Sequence, residues 1–116
     1  MNGHNVLDRE QSLQWLEGDE RMLNRIKAIF LKNIPNQVRD LEACIERGDT
    51  GTTERMAHTI MGSAAMMGAS IMSAEARKIE ESAIKMDMES AKHHYTTFAA
   101  EFEKVMMALQ ADGGLE

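Results

Sequence analysis

Apolar residues recur every three to four positions along most of the chain, with polar and charged residues between them. That is the spacing of amphipathic helices. Asp8 and Gln11 have the form of a capping box in front of a short helix carrying Leu13 and Leu16, which Gly18 ends. Asp19 caps the next helix, in which Met22, Leu23, Ile26, Ile29 and Phe30 share a face. Pro35 removes a backbone donor and crowds the preceding turn, which predicts a break or kink near Asn33. Pro also suits the first turn of a new helix. Val38, Leu41 and Ile45 carry the stripe on to Gly48. Residues 49–52 predict a turn, with Thr52 or Thr53 capping a central helix that runs through His58 to about Met67 and closes at Gly68. Ser70 opens a further helix with Met72, Ala76, Ile79, Ala83 and Met86 on one face. Residues 87–90 connect it to a last helix carrying Tyr95, Phe98, Phe102, Val105 and Leu109, which dissolves at Asp112-Gly113-Gly114.

Four substantial amphipathic helices with short connections predict an all-α, antiparallel four-helix bundle over residues 6–110. The short first helix and a Pro-kinked second helix decorate it, and residues 1–5 and 111–116 are expected to be flexible tails. A length of 116 residues with 43% apolar content suits one such core. One Pro, few aromatics and eleven Met fit the same class. The net charge of −6 argues against nucleic acid and against an anionic membrane surface. No apolar run is long enough to span a bilayer, and the start of the chain has no signal-peptide pattern. Cys44, the single cysteine, lies between Leu41 and Ile45 and reads as a small buried hydrophobe in a reducing, cytoplasmic setting. A monomer is expected, and Met1 with the lack of a long linker favours a free-standing protein over a domain of a larger kinase.

The central helix holds the candidate chemistry. At about 100° per residue, Met56, Ile60, Ser63, Ala64 and Met67 fall on one side, and His58 points away from them. Gly62 and Ala65 follow His58 on the outer face, so little side chain stands beside the imidazole on its C-terminal side. A glycine inside a helix costs roughly 1 kcal/mol relative to alanine. Close packing of helices explains most such glycines, and a lone helix histidine is usually a solvated surface residue. Close approach of another molecule to His58 is the alternative.

A longer pattern decides between these readings. The run Ala57-His58-Thr59-Ile60-Met61-Gly62-Ser63-Ala64, followed by Gly68-Ala69 and Ile79-Glu80, resembles the histidine-containing phosphotransfer (HPt) domains of bacterial multistep phosphorelays. That family has an Ala-His pair, an apolar residue two after the histidine, glycine four after it, then a small residue, a second glycine and a Leu-Glu pair. Gly18-Asp19-Glu20, Phe30, Pro35 and Gly48-Asp49 also fall where such domains have them, so the resemblance spans roughly residues 6–109. The sequence departs from the pattern at Met61, where the family usually has a lysine that helps hold the phosphoryl group or the transfer geometry. Arg55, one turn before His58, is the nearest cation on the same helical face and the candidate to substitute.

The resemblance implies that His58 accepts phosphoryl from the aspartate of one receiver domain and passes it to another. An exposed histidine titrates near pH 6.5, so a neutral nucleophile is available at cytoplasmic pH. The partners implied are response-regulator receivers and a hybrid sensor kinase. No cofactor is expected on this chain, the Mg²⁺ coming with the receiver. The chain has no phosphate-binding loop or kinase signature, so it is not expected to phosphorylate itself from ATP. Gly62 would leave room for the receiver's acidic pocket, and Met61, Ala65 and Met66 would form the docking rim, while Met56 and Met67 pack inside. Arg77, Lys78 and Lys85 read as solvated surface, and Glu80 as structural. His93 and His94 are adjacent and point about 100° apart on a helix, unlike the i, i+4 pair of a helical metal site. Two other functions compete: a docking or regulatory module that binds receivers without transfer, which Met61 favours, and a Met/His cofactor or metal bundle, which lacks inward-facing Glu-x-x-His pairs.

Overall fold

A computed structural model describes residues 6–111. Five helices follow one another: α1 (Arg9–Trp15), α2 (Glu20–Arg47), α3 (Thr50–Met66), α4 (Ser70–Ile84) and α5 (Met88–Ala111). Helices α2 to α5 pack in a ring, each against the next and α5 back against α2, in a body of 40 × 27 × 23 Å. The all-α bundle with a short extra N-terminal helix is the architecture that the spacing predicts.

Side chains terminate the helices largely where expected. Asp8 accepts from the backbone N–H of Gln11 at 3.0 Å, and Asp19 from that of Met22 at 3.0 Å. The other half of the capping box is replaced, because the Asp8 N–H donates to the carbonyl of Gly68 at 2.7 Å. At α3 the cap is Asp49, which accepts from the Thr52 N–H at 3.1 Å, and neither Thr52 nor Thr53 takes that role. Thr53 faces the core instead, fully buried, and its hydroxyl has no partner among the described residues. Pro35 lies inside α2, and no second helix begins there: 28 residues form one helix. The extensive burial of its inner face, from Leu23 through Ile34 to Ile45, holds α2 helical across the missing donor.

Along α3 the buried stripe is Thr53, Ala57, Ile60 and Ala64, continuing to Met67. Met67 is a core residue as expected, and Met56 is half-buried against the core, with its Sδ 3.8 Å from the buried Cys44 Sγ. Ala57, Ala64 and Ala76 are fully buried, and such small side chains let helix backbones come close. The consequence is visible across the α3–α4 seam, where Ser73 Oγ donates to the backbone carbonyl of Met61 at 2.8 Å. On α4, Met72, Ala76, Ile79 and Ala83 are buried, but Met86 is not. The helix ends at Ile84, and Met86 turns outward at φ 60°, 75% exposed.

Helix α1 closes one end of the bundle. Ser12 Oγ donates to the Met66 carbonyl at 3.0 Å, filling one of the acceptors that the end of α3 leaves open. Gly68, at φ +77°, lies so close to Asp8 that a Cβ there would meet its carbonyl oxygen at 2.3 Å.

Candidate functional site

His58 projects from the middle of α3, its side chain 65% exposed. Its Nδ1 lies 2.9 Å from Oε2 of Glu80 on α4, and the Glu80 side chain is only 16% exposed. An ionised carboxylate only accepts, so this contact places the ring proton on Nδ1. The Nε2 lone pair is then free. The arrangement follows from register: α3 and α4 run antiparallel at close range, so a residue nearly three turns into α4 reaches back to the middle of α3. Glu80, read from the sequence as structural, is thus a direct partner of the histidine.

Gly62 sits one turn beyond His58 and is exposed. A Cβ built there would meet nothing within 4 Å. No packing among the described residues asks for glycine at this position, which removes the ordinary explanation for a helix glycine. The stretch from Ala57 to Met66 carries no charged side chain besides the titratable imidazole.

Concavities flank the ridge formed by His58 and Gly62. On the α2 side, a groove of about 430 Å³ is lined by Ile26, Ile29, Phe30, His58, Gly62 and Met66 among others. Ile29 is 59% exposed and Met66 41%, large apolar side chains left uncovered at the groove. On the α4 side, a smaller hollow of about 290 Å³ is lined by Trp15, Met61, Ala65, Ser73 and Arg77 among others. Met66 and the pair Met61 and Ala65 therefore lie on opposite flanks of the ridge. Met61 is half-buried and packs partly on the core. Arg55 is exposed, and its guanidinium donates to Thr52 Oγ1 at 3.3 Å, back along α3 and away from His58.

The other histidines stand apart from this site. His93 and His94 pack edge to face on α5, their ring centroids 5.6 Å apart, and His4 lies outside the described residues. Among the described residues, no group of three or more His, Cys, Asp or Glu is placed to hold a metal ion, and no helix is long and apolar enough to cross a membrane.

The fold and sequence place the chain among known proteins. By structure it is similar to histidine-containing phosphotransfer protein B (HptB) from Pseudomonas aeruginosa PAO1, with a TM-score of 0.83 at 22% identity over 92% of this chain and 93% of that one. No curated protein matches it by sequence. The family model of the Hpt domain matches residues 25–112, from early in α2 to beyond α5 and so including His58, Gly62 and Glu80, and the chain belongs to that family of histidine phosphotransfer domains.

Proposed function

We propose that the protein is a phosphocarrier in a His-Asp relay, with His58 taking phosphoryl from the aspartate of one receiver domain and delivering it to another. The observation that carries this reading is the contact between His58 Nδ1 and the largely buried Glu80 carboxylate, which leaves Nε2 as an outward-facing nucleophile.

The chemistry follows from that geometry. The Nε2 lone pair attacks the phosphorus of an aspartyl phosphate. The N–P bond forms as the acyl P–O bond breaks, and the aspartate carboxylate leaves. The Nδ1 proton stays in place, and the Glu80 carboxylate balances the positive charge that the ring gains. Delivery to the second receiver is the same displacement in reverse. Mg²⁺ and most of the stabilisation of the phosphoryl oxygens come with the receiver. This chain supplies a rigid nucleophile, an uncovered space at Gly62 and a stretch of α3 with no other charged side chain from Ala57 to Met66. The groove holding Ile29 and Met66 suits an apolar segment of the receiver beside its acidic pocket. The protein acts as a monomer, its core being complete within the bundle.

The test is transfer from a panel of phosphorylated receiver domains. The native protein takes up acid-labile, alkali-stable label, and His58→Gln takes up none. Trp15, the single tryptophan, is 52% exposed on the α4 flank and reports docking by its fluorescence. Docking of every receiver without any label would instead favour a module that binds receivers but does not transfer.

A further inference from the structure

Phosphoryl transfer brings the negatively charged phosphoryl oxygens to Nε2, yet α3 offers no cation from Ala57 to Met66. We propose that Arg77 of α4 supplies the missing positive charge, reaching across the α3–α4 seam to hold the phosphoryl oxygens on His58.

Register places it there. Glu80 meets His58 and Ser73 meets the Met61 carbonyl, so the antiparallel pairing of the two helices sets Arg77, between them, opposite Met61. Arg77 and Met61 line the same hollow on the α4 flank of the ridge. Met61 is three residues beyond His58 and Arg77 three before Glu80, each within about one 5.4 Å helical turn of the pair. The guanidinium is available. Its partner is Glu81, with Nε 3.6 Å from Oε2, and both side chains are more than half exposed. A solvated pair of that kind holds its members weakly, and a phosphoryl group offers a guanidinium a doubly charged, bidentate alternative.

Other nearby cations are directed elsewhere. Arg55 turns to Thr52, and Lys78 holds the buried Glu75 carboxylate at 3.1 Å. Lys85 lines a separate hollow with Asp87 and His94. The half-buried Met61, with no charge of its own, gives the long Arg77 stem an apolar surface to lie on.

The inference rests on the phosphocarrier reading, and its test keeps the two apart. Transfer from a phosphorylated receiver is measured at saturating receiver for the native protein, Arg77→Ala, Arg77→Lys, Arg55→Ala and the double variant Arg77→Ala with Met61→Lys. Circular dichroism confirms the fold of each. Arg77→Ala is expected to lower the maximal transfer rate on the order of tenfold, as loss of a charged hydrogen bond does. Arg77→Lys retains most of the rate, Arg55→Ala loses less than Arg77→Ala, and Met61→Lys restores Arg77→Ala. A native rate in Arg77→Ala overturns the inference and leaves the carrier reading standing. So does a loss confined to receiver affinity, or one that Met61→Lys does not restore. Absence of label on the native protein overturns the carrier reading itself.

Discussion

His58 and Glu80 stand 22 residues apart in sequence and 2.9 Å apart in space, one mostly exposed and the other mostly buried. The pair fixes which imidazole nitrogen reacts. In the native protein, nitrogen NMR shifts of His58 should show a protonated Nδ1 and an unprotonated Nε2 near neutral pH. Glu80→Gln keeps an acceptor but loses the charge, and Glu80→Ala loses both. We expect transfer to slow in the order native, Gln, Ala, with about a tenfold loss in the last. Equal rates in all three would mean that the carboxylate is only structural.

Gly62 separates stability from activity. Nothing within 4 Å opposes a methyl group there, and the residue is in a helix interior. Gly62→Ala should therefore raise stability by about 0.5–1 kcal/mol, read from denaturant unfolding. Gly62→Leu should also fold, but its side chain would occupy the space beside His58 and impair transfer. Full transfer by a well-folded Gly62→Leu protein would show that the receiver does not approach over this residue.

Gly68 shows the opposite case. Its φ of +77° and the 2.3 Å approach of the Asp8 carbonyl oxygen leave no room for a side chain. Gly68→Ala should destabilise the protein by about 2 kcal/mol or more, with α1 moving off the end of α3. Thermal unfolding measures this, and proteolysis within residues 6–18 should become faster in the variant.

Two pH limits follow from the carboxylates and the phenol. Asp49 and Asp87 have lowered pKa values, held down first by the backbone N–H bonds of Thr52 and Ser90. Their folded-state values lie below the unfolded one, so their contribution is present above about pH 4 and is lost as pH falls through the lowered values. Tyr95 is pushed the other way, up to about 12, first by burial and then by the carboxylates of Glu42 and Glu46. The folded state keeps the phenol proton longer than the unfolded chain, so this contribution is full below about pH 10 and declines as pH rises towards 12. It is the only tyrosine, so an ultraviolet titration reads it directly, and Glu42→Gln should move the midpoint down. A midpoint at the ordinary tyrosine value would place the ring in solvent.

Local signals in the sequence located the helices, and the family motif located the histidine. Asp8, Asp19 and Gly68 mark helix ends by chemistry that acts within a few residues, and it is read without knowing the fold. The outward direction of His58 follows from helical period alone. What the sequence did not reveal depended on partners distant in the chain. Glu80 looks like one more acidic residue on α4 until the register with α3 is known. The Asp8 N–H is drawn to Gly68 and not to Gln11 for the same reason. Thr53 looked like a cap because it is polar, but tertiary packing places it in the core and leaves capping to Asp49. Met86 keeps the apolar period of α4 after the helix has ended. Pro35 has a strong local preference for a helix start, which burial along both sides of it in α2 overrides.

The central claim is that Nε2 of His58 carries the phosphoryl group. The direct measurement is phosphorus and nitrogen NMR of the native protein after incubation with a phosphorylated receiver, with the modified residue located by mass spectrometry under alkaline conditions. The account predicts one phosphohistidine, at His58 and bonded through Nε2. A phosphoryl group on Nδ1, on His93 or His94, or on no histidine at all would contradict it.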